Sequence, residues 1–183
     1  MTYDTFEEHV IQASGMPGGR KVWTPTATAA NACRAVVFLD AEIYIERVKA
    51  AAVVSGLNNA EEIVAVFISD DSAAARHTDY TCNTQYSEFK VNDVLPWAAA
   101  RYPRSSIDPA VVVGLSLSGL AAAFLAARFP RHFRAAVCQS PSFWWEKDKF
   151  VEFVPSVAGP ELWISVGDKE TTQGESHAPS GLS

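Results

Sequence analysis

Three cysteines, Cys33, Cys82 and Cys138, are all that the 183 residues contain. Their odd number and wide spacing point to neither a disulfide framework nor a zinc site. Cys138 lies in an apolar run and is expected in the core. Basic residues are also scarce, 15 Lys+Arg against 21 Asp+Glu for a net charge of -6, with no basic run. The electrostatic footprint that nucleic acid requires is therefore missing, and DNA and RNA are excluded as expected partners. No stretch approaches the roughly 20 consecutive apolar residues of a membrane helix. The opening MTYDTFEEHV is acidic and has neither the positive region nor the apolar core of a secretory signal, so a cytoplasmic protein is expected. Internal repeats and low-complexity segments are absent as well.

What is present is apolar residue content, 48% of the chain, enough for one domain with a sizeable core over residues 1–183. Short apolar runs alternate with longer helix-like stretches. KVWTP (21–25), AVVFLD (35–40), IVAVFIS (63–69), AVVVG (110–114), AAVCQS (135–140) and LWISVG (162–167) read as strands. Most are continuous rather than alternating, the pattern of strands buried on both faces in a parallel sheet covered by helices. Residues 43–55, 84–102 and 117–129 supply the crossover helices that parallel neighbours demand, with a kink or break expected at Pro96. Thr5-Phe6-Glu7-Glu8 fits a capping box and predicts a short N-terminal helix ending at SGMPGG. The fold class is α/β, and TTQGESHAPSGLS (171–183) reads as a turn-rich loop.

The stretch VVVGLSLSGLAAAF (111–124) carries the chemistry. A strand runs into Gly-x-Ser-x-Ser-Gly and then into a small-residue helix. A serine hydroxyl is a weak nucleophile, so a catalytic one must be lifted clear of the sheet and set beside oxyanion donors. A tight strand–turn–helix elbow does both, and needs small residues two before and two after the serine, here Gly114 and Ser118. The competing reading makes Ser116 an N-cap serine of an ordinary helix.

In such an architecture the acid and base follow in the order Ser, Asp/Glu, His. Asp168 and Glu170 lie just beyond LWISVG, at a strand's C-terminal edge where catalytic groups gather; solvated loop charges are the alternative. Of four histidines, only His177 follows the acids; His9 falls in the N-terminal segment, His77 in a polar loop and His132 after the 117–129 helix.

Several segments together resemble the enterochelin-esterase-like group of α/β-hydrolases, the family that also holds S-formylglutathione hydrolases and mycolyltransferases. They are VVFLDAEIY, RHTDYTCNTQYSEF, DVLPW, GLSLSGLAA, FPRHFRAAVCQSPSFWW and WISVGDKE, spanning roughly residues 20–172 in order. The resemblance implies an α/β-hydrolase fold, a mostly parallel central sheet with helices on both faces. It implies Ser116 as nucleophile and Glu170 as acid, with Asp168 as its substitute. Oxyanion donors would be the backbone N–H of Leu117 and those of the Asp40-Ala41-Glu42 turn. Arg76 would anchor an anionic or catecholate group, and Trp144 and Trp145 would wall an aromatic-accepting pocket or pack as core. Ala41 stands where the family often has glycine, and Ser118 replaces the elbow's second glycine.

The family's catalytic histidine lies in a Gly-Gly-His-Asp-like turn that has no counterpart before Ser183, so a chain truncated before its final helix and strand is expected. Losing one triad member leaves a residual acceleration of about 10³–10⁴ over water. The implied activity is carboxylic-ester hydrolysis of a small-molecule siderophore ester through an acyl-enzyme, without metal or cofactor. Alternatives are another small acyl ester, acyl transfer, or a non-catalytic binding module. Truncation would also expose a sheet edge and favour dimerisation or poor solubility.

Overall fold

A computed structural model describes residues 6–14, 18–26, 34–56, 63–70, 72–103, 106–145, 149–153 and 159–168. Strands β1 (Phe6–Gln12), β2 (Gly19–Pro25), β3 (Arg34–Leu39), β4 (Ile63–Ile68), β5 (Ser106–Leu115), β6 (Phe133–Gln139) and β7 (Glu161–Ser165) form one sheet. Their spatial order is β1-β2-β4-β3-β5-β6-β7. From β4 to β7 every neighbouring pair is parallel, whereas β1 and β2 are a hairpin joined antiparallel to β4. The continuous apolar runs thus become parallel strands, and β3 and β4 are buried along nearly their whole length.

Helices cover both faces. On one lie α2 (Ala73–Tyr80), α3 (Thr84–Phe89), α4 (Leu95–Arg101) and α5 (Leu117–Arg128), over Val37, Leu39, Val64, Val66 and Val112. On the other, a π-helical turn (Ile43–Arg47) and α1 (Ala50–Gly56) put Tyr44, Ile45 and Ala50 against Phe38, Phe67 and Val113. Helix α5 is buried from Leu117 to Ala127, as a central crossover helix must be.

The expected N-terminal helix is not formed. Phe6–Gln12 pairs with β2 from Phe6↔Pro25 to Gln12↔Gly19, with Phe6 edge-on to Phe67 at 5.6 Å and Ile11 in the core. A full strand ladder outweighs one four-residue capping signal; Thr5 itself lies outside the described residues. The 43–55 helix is divided where Lys49 takes φ 57°. The 84–102 stretch stays helical through Pro96, the second residue of α4, and the turn that would accept its missing N–H is the irregular one. A π-helical turn over Lys90–Val94 precedes it. His77 is on a helix rather than in a loop: Ser72 caps α2, its Oγ accepting from the Ala75 N–H at 3.1 Å.

A buried polar set fixes α2 and α3 to the sheet. Arg20 of β2 pairs with Asp79 of α2 at 2.8 Å, and Lys90 Nζ lies 3.0 Å from the centre of the Tyr86 ring while donating to the Tyr86 carbonyl. Burial pushes the Lys90 amine well below its usual range. Cys138 is fully buried, which pushes its thiol up to about 12; Cys82 is partly buried, and Cys33 lies outside the described residues.

Strand β7 departs from the expected two-sided burial. Leu162, Trp163 and Ile164 are 38%, 63% and 52% exposed, because β6 is the strand's one sheet neighbour among the described residues. With Val111, Arg134, Ala135 and Val137, Glu161 and Trp163 line an open groove of about 350 Å³.

Candidate active site

Chain order and spatial order part company at β3. The chain passes from β3 to β4 on one side and then returns to lay β5 on the other, which makes the crevice between the C-terminal ends of β3 and β5 a topological switch point. Two turns meet there. The register pairs Phe38 with Val113, so two residues further on Asp40 comes level with Leu115 and Ala41 with Ser116.

Ser116 has φ 54° and ψ -118°, a conformation that costs a non-glycine residue about 1–3 kcal/mol and persists where surroundings enforce it. Its N–H donates to the Gln139 carbonyl at 2.8 Å, and its carbonyl accepts from Leu120 and Ser142 N–H groups. Gly114 is required: a Cβ there would stand 2.1 Å from the Ser118 carbonyl oxygen. Ser118 fits because its hydroxyl turns back on the elbow, with both the N–H and the carbonyl of Leu115 at 2.8 Å from its Oγ. Although Ser116 occupies the N-cap position of α5, its hydroxyl makes no capping bond. It faces Ser142 instead, Oγ to Oγ 3.4 Å.

Leu117 begins α5, and Ala41 and Glu42 begin the helical segment after β3. The first N–H groups of a helix lack intrahelical acceptors and carry the positive end of its dipole, and both of these helix starts lie at the switch point. Asp40, 1% exposed, holds the β3 turn at φ 58°. Its carbonyl accepts from Ile43 and Tyr44, its N–H donates to the Tyr80 hydroxyl at 3.0 Å, and its carboxylate takes two 2.7 Å bonds from Arg76. Arg76 is thus engaged by protein. Glu42 accepts from Ser69 Oγ at 2.5 Å.

Asp70 completes the group, 3.5 Å from Arg76. Burial, then the Glu42 and Asp40 carboxylates, push its carboxyl up to about 6 from 3.8. Because the folded value lies above the unfolded one, the charged form weakens the fold above about pH 6, and the penalty fades as pH falls towards 4. The shift corresponds to at most ~3 kcal/mol, and solvent screening at a side chain one-fifth exposed reduces this to about 1 kcal/mol. Asp70→Asn is expected to stabilise the protein by that amount at pH 8 and by nothing at pH 4, as read by urea denaturation at both pH values.

Asp168 follows β7, whose Ser165 pairs with Gln139 as Gln139 pairs with Leu115. Its strand therefore ends at the elbow's edge of the sheet, and Asp168 is exposed. Glu170 and His177 lie outside the described residues. Among described histidines none touches Ser116. The His132 carbonyl accepts from the Ala110 N–H, midway along β5, and His9 of β1 meets the Trp97 ring in a tilted contact at 4.9 Å. His77 stands edge-on to Trp145 at 4.8 Å. Trp144 and Trp145 are half-buried with rings 5.6 Å apart, neither full core nor free. Sequence reasoning missed Ser142 and the Tyr44 hydroxyl, which donates to Gln139 Oε1 at 2.6 Å. Parallel register was the usable signal, since it sets the turn after β6 beside the turn after β5.

A strained serine elbow at the switch point of a mostly parallel sheet defines the α/β-hydrolase class of fold. The chain belongs to the esterase family described as "Putative esterase", whose profile it matches over residues 18–182. It is 28% identical over 146 residues to the iron(III) enterobactin esterase of Escherichia coli K12, covering 76% of this chain and 36% of that protein. The chain therefore spans about a third of the length of that relative. Among solved structures, enterochelin esterase from Shigella flexneri matches with a TM-score of 0.75 at 20% identity, over 88% of this chain and 45% of the other. Siderophore hydrolase EstA from Aspergillus nidulans matches with 0.74 at 17% identity, over 94% and 74%.

Proposed function

We propose that this chain is a serine carboxylic-ester hydrolase acting on a siderophore-type small-molecule ester. The observation that carries the reading is Ser116 itself, strained at the switch point with a hydroxyl that caps nothing. Its Oγ attacks the ester carbonyl and gives its proton to a base. The oxyanion is met by the N–H groups of Leu117, Ala41 and Glu42. Collapse expels the alcohol, which takes the proton, and water then hydrolyses the acyl-enzyme. Glu170, or Asp168 in its place, orients the base, and His177 is the candidate for it. Trp144 and Trp145 offer aromatic surface for catecholate rings. The substrate class follows the relatives, which are enterobactin and siderophore esterases.

Cys138, a buried thiol outside any disulfide, accords with action in the reducing cytoplasm. No described helix is long and apolar enough to cross a membrane. A second reading is a binding module without turnover, favoured by the half-buried Trp144–Trp145 pair, whose rings 5.6 Å apart offer a ligand surface whether or not Ser116 is activated. Fluorophosphonate labelling separates the two. Labelling that vanishes in Ser116→Ala is the expected result, whereas a folded chain that stays unlabelled overturns catalysis and leaves the binding module.

A further inference from the structure

We propose that Arg76 and Tyr80 are positioning residues that set the oxyanion turn through Asp40, a role that rests on Ser116 being the nucleophile. The two lie four apart on α2 and so share one face of it. Both side chains reach Asp40, with Asp70 a second, longer ion-pair partner of Arg76 at 3.5 Å. Arg76 Nε and Nη2 hold the two carboxylate oxygens of Asp40 at 2.7 Å each, and the Tyr80 hydroxyl accepts the Asp40 N–H at 3.0 Å. The guanidinium lies 5.5 Å from the centre of the Tyr80 ring, so the clamp is internally packed as well. Tyr80 is fully buried and Asp40 nearly so.

Asp40 has a positive φ and its carbonyl already starts the following helical segment. Side chain, N–H and carbonyl are thus all committed, and the direction of the next two N–H groups, Ala41 and Glu42, is fixed by these bonds. An oxyanion donor is worth about 10²–10³ in rate only where it is aimed at the developing charge, and a displacement near 1 Å can cost about 10²-fold. Arg76 therefore acts on the rate of acylation without touching the substrate. A lysine would supply the charge but not the fork that fixes both carboxylate oxygens.

The test uses the full chain with p-nitrophenyl acetate, a small neutral ester that offers no anion for Arg76 to hold. Arg76→Gln, Arg76→Lys and Tyr80→Phe are compared for kcat, KM, melting temperature and amide hydrogen exchange at Ala41 and Glu42. Positioning predicts kcat lowered about 100-fold in Arg76→Gln and about 10-fold in Tyr80→Phe, with Arg76→Lys between wild type and Arg76→Gln, KM within about twofold, and faster exchange at the two amides. Unchanged kcat on this ester in folded variants overturns the proposal. So does a rise confined to KM, which would mark a substrate anchor. If the wild type neither turns over nor labels, the reading of Ser116 fails, and the clamp is decided by exchange alone: faster exchange at Ala41 and Glu42 upholds it and unchanged exchange overturns it.

Discussion

Ser116→Gly is expected to stabilise the fold by about 1–2 kcal/mol while abolishing labelling and turnover. Glycine reaches φ 54°, ψ -118° without the Cβ clash that strains serine there, and this gain exceeds the extra backbone entropy that glycine loses on folding. For a chain of this length the melting temperature should rise by roughly 2–8 °C. Ser116→Ala keeps the Cβ and therefore the strain, so its stability should match wild type although turnover falls by about 10⁴-fold or more. If Ser116 were instead a helix cap, the order would reverse. Alanine would cost about 1 kcal/mol and glycine a few tenths, and neither would stabilise. Thermal melts of the three proteins, read beside fluorophosphonate labelling, distinguish strain held for function from ordinary capping. A glycine variant no more stable than wild type would remove the strain argument for Ser116.

The same contrast between local signal and tertiary enforcement explains what was legible in the sequence. The five parallel strands were readable because each is a continuous apolar run, a pattern that burial on two faces imposes directly. The elbow was readable because its size rule is local: Gly114, Ser116 and Ser118 fall within five residues, and so does the clash that makes glycine necessary. Strand β1 was misread because a capping box is also local, whereas the pairing with β2 that overrides it is formed only in the folded sheet. Helix α2 was hidden by its polar sequence. Its buried side, Asp79 and Tyr80, is paid out in an ion pair with Arg20 and a bond to Asp40, partners far away in the chain. For the same reason Arg76 was visible as a residue of interest while its bidentate partner, 36 positions earlier, was not. The exposure of β7 was illegible too, since apolar composition does not tell a central strand from an edge.

Gly114→Ala is expected to be the most damaging alanine substitution among the described glycines whose added Cβ can be placed. Glycine here is required by space, because Gly114 does not have a positive φ. The new Cβ would stand 2.1 Å from the Ser118 carbonyl oxygen, 2.4 Å from its carbonyl carbon and 2.8 Å from the Gly119 nitrogen, all backbone atoms of the first turn of α5. No rotamer relieves such a contact, so the helix must retreat. Its retreat is opposed on two sides: the Ser118 hydroxyl is bonded to both backbone groups of Leu115, and Leu117 to Ala127 are buried. A cost of at least about 3 kcal/mol follows, a fall in melting temperature of roughly 6–12 °C. Any shift of the first turn also moves the Leu117 N–H, so the folded fraction should lose labelling at Ser116 about 10²-fold. Gly56→Ala is the control, because a Cβ at that position meets nothing within 4 Å and should change stability by less than about 0.5 kcal/mol. Equal stability of the two alanine variants in urea would mean that the backbone does not pass through the elbow as described, and the assignment of Ser116 would fall with it.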